Sequence, residues 1–287
     1  MKSTLFFIIL IFTISSCNSK TQTVVKPSDK AVYLQKDKEI LEQILQKFSA
    51  EKDASTAKLM IKVGTCFIYT PYVAHTLEKE PEQLVINLRE LDCTTFAESV
   101  LAISRTIKSA NPSFEHFVAE LQNIRYRNGI IDGYPSRLHY FSDWIFENNK
   151  RNFISDVSKE IANIPYPLNV NFMSTHPESY VQLKDSTLIP VIARQEREIS
   201  KREMYYIPVE RIAEFENQLM DGDIAGITTS IKGMDISHVV ILQRVGERVH
   251  ILHASSAAKK VILSEETLEE YLKNSKLATG IMVARPL

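Results

Sequence analysis

A cysteine at the predicted start of a helix is the residue of this sequence best suited to nucleophilic chemistry. Cys93 follows Asp92, a good helix N-cap, and an apolar stripe at helical spacing runs through residues 96–107. Unpaired N–H groups and the positive end of the helix dipole favour the thiolate, which is the reactive form of a thiol. A buried structural cysteine is the commoner role, so catalysis needs a basic partner as well.

Two histidines on neighbouring predicted strands can supply that partner. Residues 245–248, Val-Gly-Glu-Arg, are typical of a tight hairpin, with glycine at the first central position that a type II′ turn prefers. In this register His238 lies opposite Ser255 and His253 opposite Val240. The two histidines then share one face of the sheet as diagonal neighbours, with backbones about 7 Å apart. A one-residue change in the turn would destroy this arrangement.

Cys93, His238 and His253 together predict a Cys-His-His site. His238 would take the thiol proton, and His253 would orient the ring of His238 through a hydrogen bond. The alternative is that both histidines are strand residues near a rim of the sheet with ordinary hydrogen bonds. A metal site is the competing functional interpretation, but His250 and His253 face opposite sides of a strand, and the sequence has no HExxH or CxxC pair. We therefore expect neither a metal nor a cofactor.

The elements that must position these residues predict an α+β fold, with helices first and an antiparallel sheet afterwards. Helical patterns cover residues 33–49, 54–64, 91–107, 114–124 and 177–202, the last interrupted near Pro190, and a loop-rich segment spans 71–91. Later in the chain, strand-like runs occupy 204–209, 224–229, 238–245, 248–255, 260–263 and 280–284, with short helices near 209–219 and 265–274. No repeat or linker divides this part, so we predict a single domain over residues 33–287 with an N-terminal helical extension.

The first residues are typical of an export signal. Residues 1–16 combine a short positive start with an apolar run over 5–12, which is too short to span a bilayer. Small residues before Cys17 resemble the lipobox of bacterial lipoproteins, in which the chain is cut before the cysteine and the cysteine is acylated. We predict a signal peptide over 1–16 and a lipid-anchored polar tether over 17–32. The alternative is a plain secretory peptide in which Cys17 is incidental.

Composition excludes several classes of protein. The 287 residues carry 34 Lys and Arg against 35 Asp and Glu, so no strong attraction to nucleic acid is built into the net charge of -1. A hydrophobic content of 44% is that of a globular chain, which we expect to be a monomer, and it excludes a disordered or collagen-like protein. After Cys17, only Cys66 and Cys93 remain. They could form a disulfide, although the apolar surroundings of Cys66 indicate a small buried hydrophobe.

Four short segments resemble the NlpC-type cell-wall cysteine peptidases, which have a papain-like α+β fold. They are residues 69–72 (Tyr-Thr-Pro-Tyr), 91–94 (Leu-Asp-Cys-Thr), 237–239 (Ser-His-Val) and 253–255 (His-Ala-Ser). Thr94 and Thr95 stand where that family usually has Ser-Gly. Together with segments 132–140, 143–144 and 223–229, the pattern is similar to the N-acetylmuramoyl-L-alanine amidase-like branch. The resemblance covers most of the chain from about 55 to 284.

The resemblance implies cleavage of the amide between the lactyl group of N-acetylmuramic acid and L-Ala in small muropeptides, including 1,6-anhydro forms. It also implies Cys93 as nucleophile, His238 as base and His253 as orienting residue. Tyr72 matches a tyrosine that approaches the catalytic cysteine in the wider superfamily. The predicted location is the bacterial cell envelope, lipid-anchored and facing the periplasm.

Four further side chains are candidates for substrate binding. Arg137 could pair with a carboxylate, Tyr140 could stack on a sugar, and His139 lies between them. Anchoring of their own loop is an equally good interpretation of all three. Asp92 is similarly open between an N-cap and a substrate contact.

Two other functions stay open at this point. A γ-D-glutamyl-diamino acid endopeptidase would cut inside the stem peptide. A papain-like scaffold kept only to bind peptidoglycan fragments would have an unreactive Cys93.

Overall fold

The computed structural model describes residues 31–287, and the predicted signal peptide, Cys17 and most of the predicted tether lie outside the described residues. The end of that tether already belongs to the folded body. Val32 donates its N–H to the carbonyl oxygen of Leu84 at 2.9 Å and accepts from the N–H of Ile86 at 2.9 Å. The hydrogen-bonded structure therefore includes Val32, one residue before the predicted boundary.

Helices dominate the first half of the described chain, as predicted. Within residues 31–287 the α-helices are α1 (Gln35–Lys47), α2 (Thr56–Thr65), α3 (Cys93–Lys108), α4 (Phe114–Arg125), α5 (Phe141–Lys150), α6 (Ser158–Ile161), α7 (Phe172–Thr175), α8 (Ile189–Ile199), α9 (Ile212–Phe215) and α10 (Leu268–Asn274). The predicted interruption near Pro190 is the start of α8, where a residue without an N–H is tolerated. No helix of the described residues is long and apolar enough to cross a membrane.

The strands form one antiparallel sheet. They are β1 (Ile154–Asp156), β2 (Ile164–Tyr166), β3 (Met204–Pro208), β4 (Ile224–Thr229), β5 (Ile236–Val245), β6 (Arg248–Ser255), β7 (Lys260–Thr267) and β8 (Ala278–Pro286). The order across the sheet is β2-β3-β8-β4-β5-β6-β7, and β1 pairs with β8. Helices packed on an antiparallel sheet confirm the α+β prediction. No pattern in the sequence predicts β1 and β2. Each has three residues, which are too few to show the alternation of apolar and polar residues along a strand.

Both faces of the sheet are buried, each by a different group of helices. Along β5, Val239 and Ile241 belong to the core that includes Phe96 of α3, whereas Val240 and Leu242 belong to a second core that includes residues of α10. This alternation follows from the period of two along a strand. The two cores place α3 and α10 on opposite sides of the same strand.

The β5–β6 hairpin has the predicted register. Val245 pairs with Arg248, and Ile241 pairs with Leu252. Gly246 has a φ of +61°, which the first central residue of a type II′ turn requires and which glycine adopts without a steric penalty. Because the register is correct, the parity that places His238 and His253 on one face is also correct.

Candidate active site

Reciprocal capping fixes the start of α3. The N–H of Thr95 donates to Asp92 Oδ1 at 2.8 Å, and the N–H of Asp92 donates to Thr95 Oγ1 at 2.9 Å. This arrangement confirms Asp92 as the N-cap and makes Cys93 the first residue of the helix. Thr95 stands where the family that the sequence resembles usually has glycine. Its side chain accepts one of the two capping hydrogen bonds. The Asp92 carboxylate is engaged in the cap, so its contact with substrate stays a prediction.

Burial and the neighbouring charge both act on the thiol of Cys93. Burial, and then the negative charge of Asp92, raise the pKa of Cys93 to about 11. Hydrogen bonds from the backbone of Val239 and from Thr94 lower the pKa but do not offset burial. Desolvation of the sulfur therefore outweighs the effect of the helix N-terminus on this pKa. A neutral thiol needs a base to become a nucleophile, which is the role predicted for His238.

The side chains of His238 and His253 are in contact, as predicted. His238 Nε2 and His253 Nδ1 are 2.7 Å apart, and the ring centroids are 5.0 Å apart. His253 is buried, with 2% exposure, while His238 is partly exposed. Burial lowers the pKa of His238 to about 4, and burial together with the His238 charge lowers the pKa of His253 to about 3. Both rings are neutral near pH 7.

The hydrogen bond between His238 and His253 restricts which ring nitrogens can carry a proton. A neutral imidazole has one donor and one acceptor nitrogen. If His238 Nε2 donates to His253 Nδ1, the free nitrogen of His238 is Nδ1, which can accept a proton. The backbone of Val239, the next residue of β5, interacts with the Cys93 sulfur, so the thiol lies beside the strand that carries this base.

Tyr271 of α10 belongs to the site and was missed by the sequence analysis. Its ring centroid lies 5.6 Å from that of His253 and 6.4 Å from that of His238. The pKa of Tyr271 is raised by burial first and then by the charge of Cys93. The sequence signal was weak, because α10 is short and Tyr271 looks like an ordinary partly buried helix residue.

Tyr72 lies at the site, as the resemblance implies. The N–H of Leu91 donates to the carbonyl of Pro71 at 3.0 Å, and the N–H of Tyr72 donates to the carbonyl of Lys259 at 2.9 Å. These bonds tie the tyrosine segment to both the start of α3 and the β6–β7 turn. Burial and then the charge of Cys93 raise the pKa of Tyr72, which keeps its phenol protonated. A binding role for Tyr72 stays a prediction.

The other predicted binding residues have partners within the protein. Arg137 is 6% exposed and forms ion pairs with Glu82 at 2.7 Å and with Glu78 at 2.8 Å. His139 Nε2 lies 2.9 Å from the carbonyl oxygen of Tyr134. These contacts are those of the loop anchor that the sequence analysis kept as its alternative.

Tyr140 is also engaged internally. Its hydroxyl donates to Glu196 Oε1 at 2.7 Å and accepts from the N–H of Met173 at 3.0 Å. We refer to Arg137, His139 and Tyr140, with their partners Glu78, Glu82, Tyr134, Met173 and Glu196, as the loop cluster. Substrate binding by the loop cluster stays a prediction that the observed contacts do not support.

The remaining thiol and histidine candidates lie apart from this set. Cys66 and Cys93 are both free, so the possible disulfide is absent from the described chain. The sulfur of Cys66 is 3.4 Å from Lys47 Nζ. His250 Nδ1 lies 3.0 Å from the carbonyl oxygen of Ser264. Within residues 31–287, no group of three or more His, Cys, Asp and Glu is placed to hold a metal ion.

Comparison with known proteins assigns the chain to a class of hydrolases. A family model described as AmiA-like, N-acetylmuramoyl-L-alanine amidase-like, matches residues 62–281. The chain belongs to this AmiA-like family. No curated protein matches it.

Solved structures agree with this assignment. An N-acetylmuramoyl-L-alanine amidase from Bacteroides uniformis is 40% identical, with a TM-score of 0.78, over 81% of this chain and 99% of that protein. A Bacteroides fragilis protein provisionally called a xylanase is 39% identical, with a TM-score of 0.75, over 78% of this chain and 99% of its own. A Legionella pneumophila protein is 21% identical with a TM-score of 0.65, over 87% of this chain and 95% of its own, and shares the fold.

Proposed function

We propose that this protein is a cysteine hydrolase that cleaves the amide between N-acetylmuramic acid and L-Ala in small muropeptides. The observation that carries the proposal is the His238–His253 pair, 2.7 Å apart, at the strand whose backbone borders the Cys93 sulfur. The amidase-like family supports peptidoglycan as the substrate class. A papain-like arrangement of the core is part of the same proposal, since the nucleophile begins a helix and its base lies on a strand.

The proposed reaction begins from neutral groups. His238 Nδ1 accepts the thiol proton as the sulfur of Cys93 attacks the lactyl carbonyl carbon, and His253 holds the ring of His238 in place. The C–N bond then breaks, His238 passes the proton to the leaving amine of L-Ala, and a thioester remains on Cys93. Water, deprotonated by His238, attacks the thioester, the C–S bond breaks, and His238 returns the proton to the sulfur of Cys93. The products are the muramic carboxylic acid and the free stem peptide.

Two groups beside Cys93 could stabilise the oxyanion of each tetrahedral intermediate. The N–H of Cys93 is at the first helical position, where the helix provides no acceptor for it. The hydroxyl of Tyr72 is the second candidate, because its raised pKa keeps the proton available for donation. We assign Tyr72 to this role and expect a contribution smaller than that of Cys93.

Other functions fit the site less well. A xylanase normally uses two carboxyl groups flanking the bond that it cleaves. Here the carboxylate that acts on Cys93 is Asp92, which caps α3, and the other side chains that interact with the Cys93 charge are the phenols of Tyr72 and Tyr271. A γ-D-glutamyl-diamino acid endopeptidase would use the same thiol chemistry and is separated from the amidase by its products. A non-catalytic binding protein would have no need of the imidazole pair.

The location that we propose is the bacterial cell envelope. It follows from the predicted signal peptide over 1–16 and from lipidation of Cys17, with the enzyme facing the periplasm as a monomer on its polar tether. Labelling with a radioactive fatty acid, compared between wild type and Cys17→Ala, tests the lipid anchor independently of activity.

Mass spectrometry of defined muropeptide digests tests the activity. We expect the wild type to release the intact stem peptide from reducing and anhydro muropeptides. We expect Cys93→Ala to lose at least about 10³-fold in rate, because no acyl-enzyme can form. Cys66→Ala is the matched control, since it also removes a free, partly buried thiol but lies outside the site.

The products distinguish the candidates. Fragments that retain L-Ala on the sugar would identify the endopeptidase. Intact substrate after incubation with folded wild type, together with undiminished binding by Cys93→Ala, would support the binding protein and refute the amidase.

A further inference from the structure

A cavity of about 580 Å³ is lined by one member of the histidine pair, His253. Tyr271, which contacts both histidines, also lines it, together with Tyr69 and Lys260. This volume is large enough for a sugar ring with its substituents. The cavity therefore offers room for one of the two parts of the substrate that flank the scissile amide.

Tyr69 is held at this cavity in an unusual way. Its side chain is 72% exposed, and its backbone has a φ of +72°, a region that non-glycine residues rarely adopt. The conformation is fixed by the sheet, because the N–H of Tyr69 donates to the carbonyl of Val261 at 2.9 Å and the N–H of Val261 donates to the carbonyl of Thr70 at 2.8 Å. A strained backbone that presents an aromatic ring to solvent is typical of a binding position.

The charges around the cavity favour a neutral occupant. Glu265 and Glu266 line it and are exposed, whereas Lys260 is the cation of its lining and lies 4.9 Å from the centroid of the Tyr69 ring. The lining therefore carries a net negative charge, which repels the carboxylates of a stem peptide. An N-acetylated sugar is uncharged, and its hydroxyls can donate to carboxylates while its apolar face stacks on an aromatic ring.

We propose that this cavity is the subsite for the muramic sugar, with Tyr69 as the ring on which the sugar stacks. The inference rests on the proposed amidase function. It adds that the sugar lies on the side of the catalytic centre where this cavity is. Glu265 and Glu266 accept hydrogen bonds from the sugar, and Lys260 limits the mobility of the Tyr69 ring by its contact with it.

Paired substrates with and without the sugar test this subsite. N-acetylmuramoyl-L-Ala-D-isoGln contains the sugar, and lactoyl-L-Ala-D-isoGln keeps the scissile amide without it. We expect Tyr69→Ala to lower kcat/KM for the first substrate by roughly three- to tenfold, the range of an aromatic contact. We expect no change for the second substrate, because it has no ring to stack.

Tyr205→Ala is the matched control, since Tyr205 also has a lysine over its ring, Lys159 at 4.6 Å, and lies on β3. This variant should leave both substrates unaffected. An equal loss on both substrates in Tyr69→Ala, or no loss on either, would overturn the subsite. A loss in Lys260→Ala that grows with the length of the stem peptide would place the peptide in the cavity and overturn it as well.

Failure of the proposed amidase function can be distinguished from failure of the sugar subsite. If folded wild type cleaves neither substrate, the amidase proposal is wrong, and the subsite is then judged by calorimetric binding of the uncharged methylamide of N-acetylmuramic acid to Cys93→Ala. Weaker binding in Cys93→Ala/Tyr69→Ala than in Cys93→Ala supports the subsite, and equal binding refutes it.

Discussion

The candidate reaction centre (Cys93, His238 and His253) and the loop cluster contain similar residue types. They differ in whether their polar groups already have partners inside the protein. In the loop cluster, Arg137 forms an ion pair with Glu82 at 2.7 Å and the hydroxyl of Tyr140 donates to Glu196 Oε1 at 2.7 Å, so both donors are used inside the protein. At the reaction centre, Cys93 and His238 are partly exposed, and neither forms an ion pair within the described chain.

This difference separates a site for chemistry from a structural anchor. Both regions contain a histidine whose pKa is strongly lowered, His139 in one and His253 in the other, so a perturbed pKa does not distinguish them. What distinguishes them is whether a polar group is left available for a molecule from outside. Arg137 has its partners already, whereas His238 is partly exposed and its side-chain hydrogen bond within residues 31–287 is the one to His253.

Removing Arg137 should have the largest effect on stability. Arg137→Met leaves Glu82, whose side chain is 2% exposed, without its cation, and breaking a buried ion pair on one side costs about 3–5 kcal/mol. The free energy of unfolding from urea titration measures this cost. The activity of the folded fraction should be unchanged.

Arg211→Met is the matched control for Arg137→Met. It removes an arginine from an exposed pair with Glu214, which solvent screens, and should leave the stability almost unchanged. If Arg137→Met kept its stability and raised KM instead, Arg137 would bind substrate and the contrast between the two regions would disappear.

The geometry of the candidate active site could be predicted in part from the sequence, because local rules determine most of it. Gly246 fixes the hairpin turn, the turn fixes the register, and the period of two then places His238 and His253 on one face. Asp92 and the apolar stripe similarly fix the start of α3. Each of these rules acts over a few residues and can be read without knowing the tertiary structure.

The remaining features depend on contacts between distant residues. Glu82 lies 55 positions from Arg137 in the chain, and no local pattern pairs them. The desolvation that raises the pKa of Cys93 depends on how closely α3 packs on β5, and the role of Tyr271 depends on how α10 packs on the other face of the sheet. A helix rule alone therefore does not determine the pKa of the thiol.

His253 should have an intermediate effect, on catalysis rather than on folding. His253→Leu removes the acceptor for His238 Nε2, so we expect kcat/KM to fall by roughly 10²- to 10³-fold, within the range for acid–base groups. His253→Asn places an amide oxygen near the position of Nδ1 and should recover much of this loss. Equal activity in the two variants would show that the side chain of His253 only fills space.

The effect that is confined to acid conditions is a change in how stability depends on pH. Burial, and then the charge of Arg137, lower the pKa of His139 to about 3, below the value of about 6.5 expected for an unfolded chain. Above pH 6.5 the ring is neutral in both states and has no effect. Between pH 6.5 and 3 the unfolded chain binds a proton that the folded protein rejects, so stability falls by up to about 1.4 kcal/mol per pH unit.

His139→Gln isolates this contribution. Glutamine can still donate to the carbonyl of Tyr134 but does not titrate, so the loss of unfolding free energy between pH 6 and pH 4, measured by urea titration, should be smaller than in wild type. His75→Gln, which replaces an exposed histidine, is the matched control variant. His238 and His253 contribute to that slope in both proteins, because burial lowers their pKa values as well. An identical slope in His139→Gln and wild type would mean that His139 is protonated in the folded protein, and the loop cluster would then hold a charge available for a ligand.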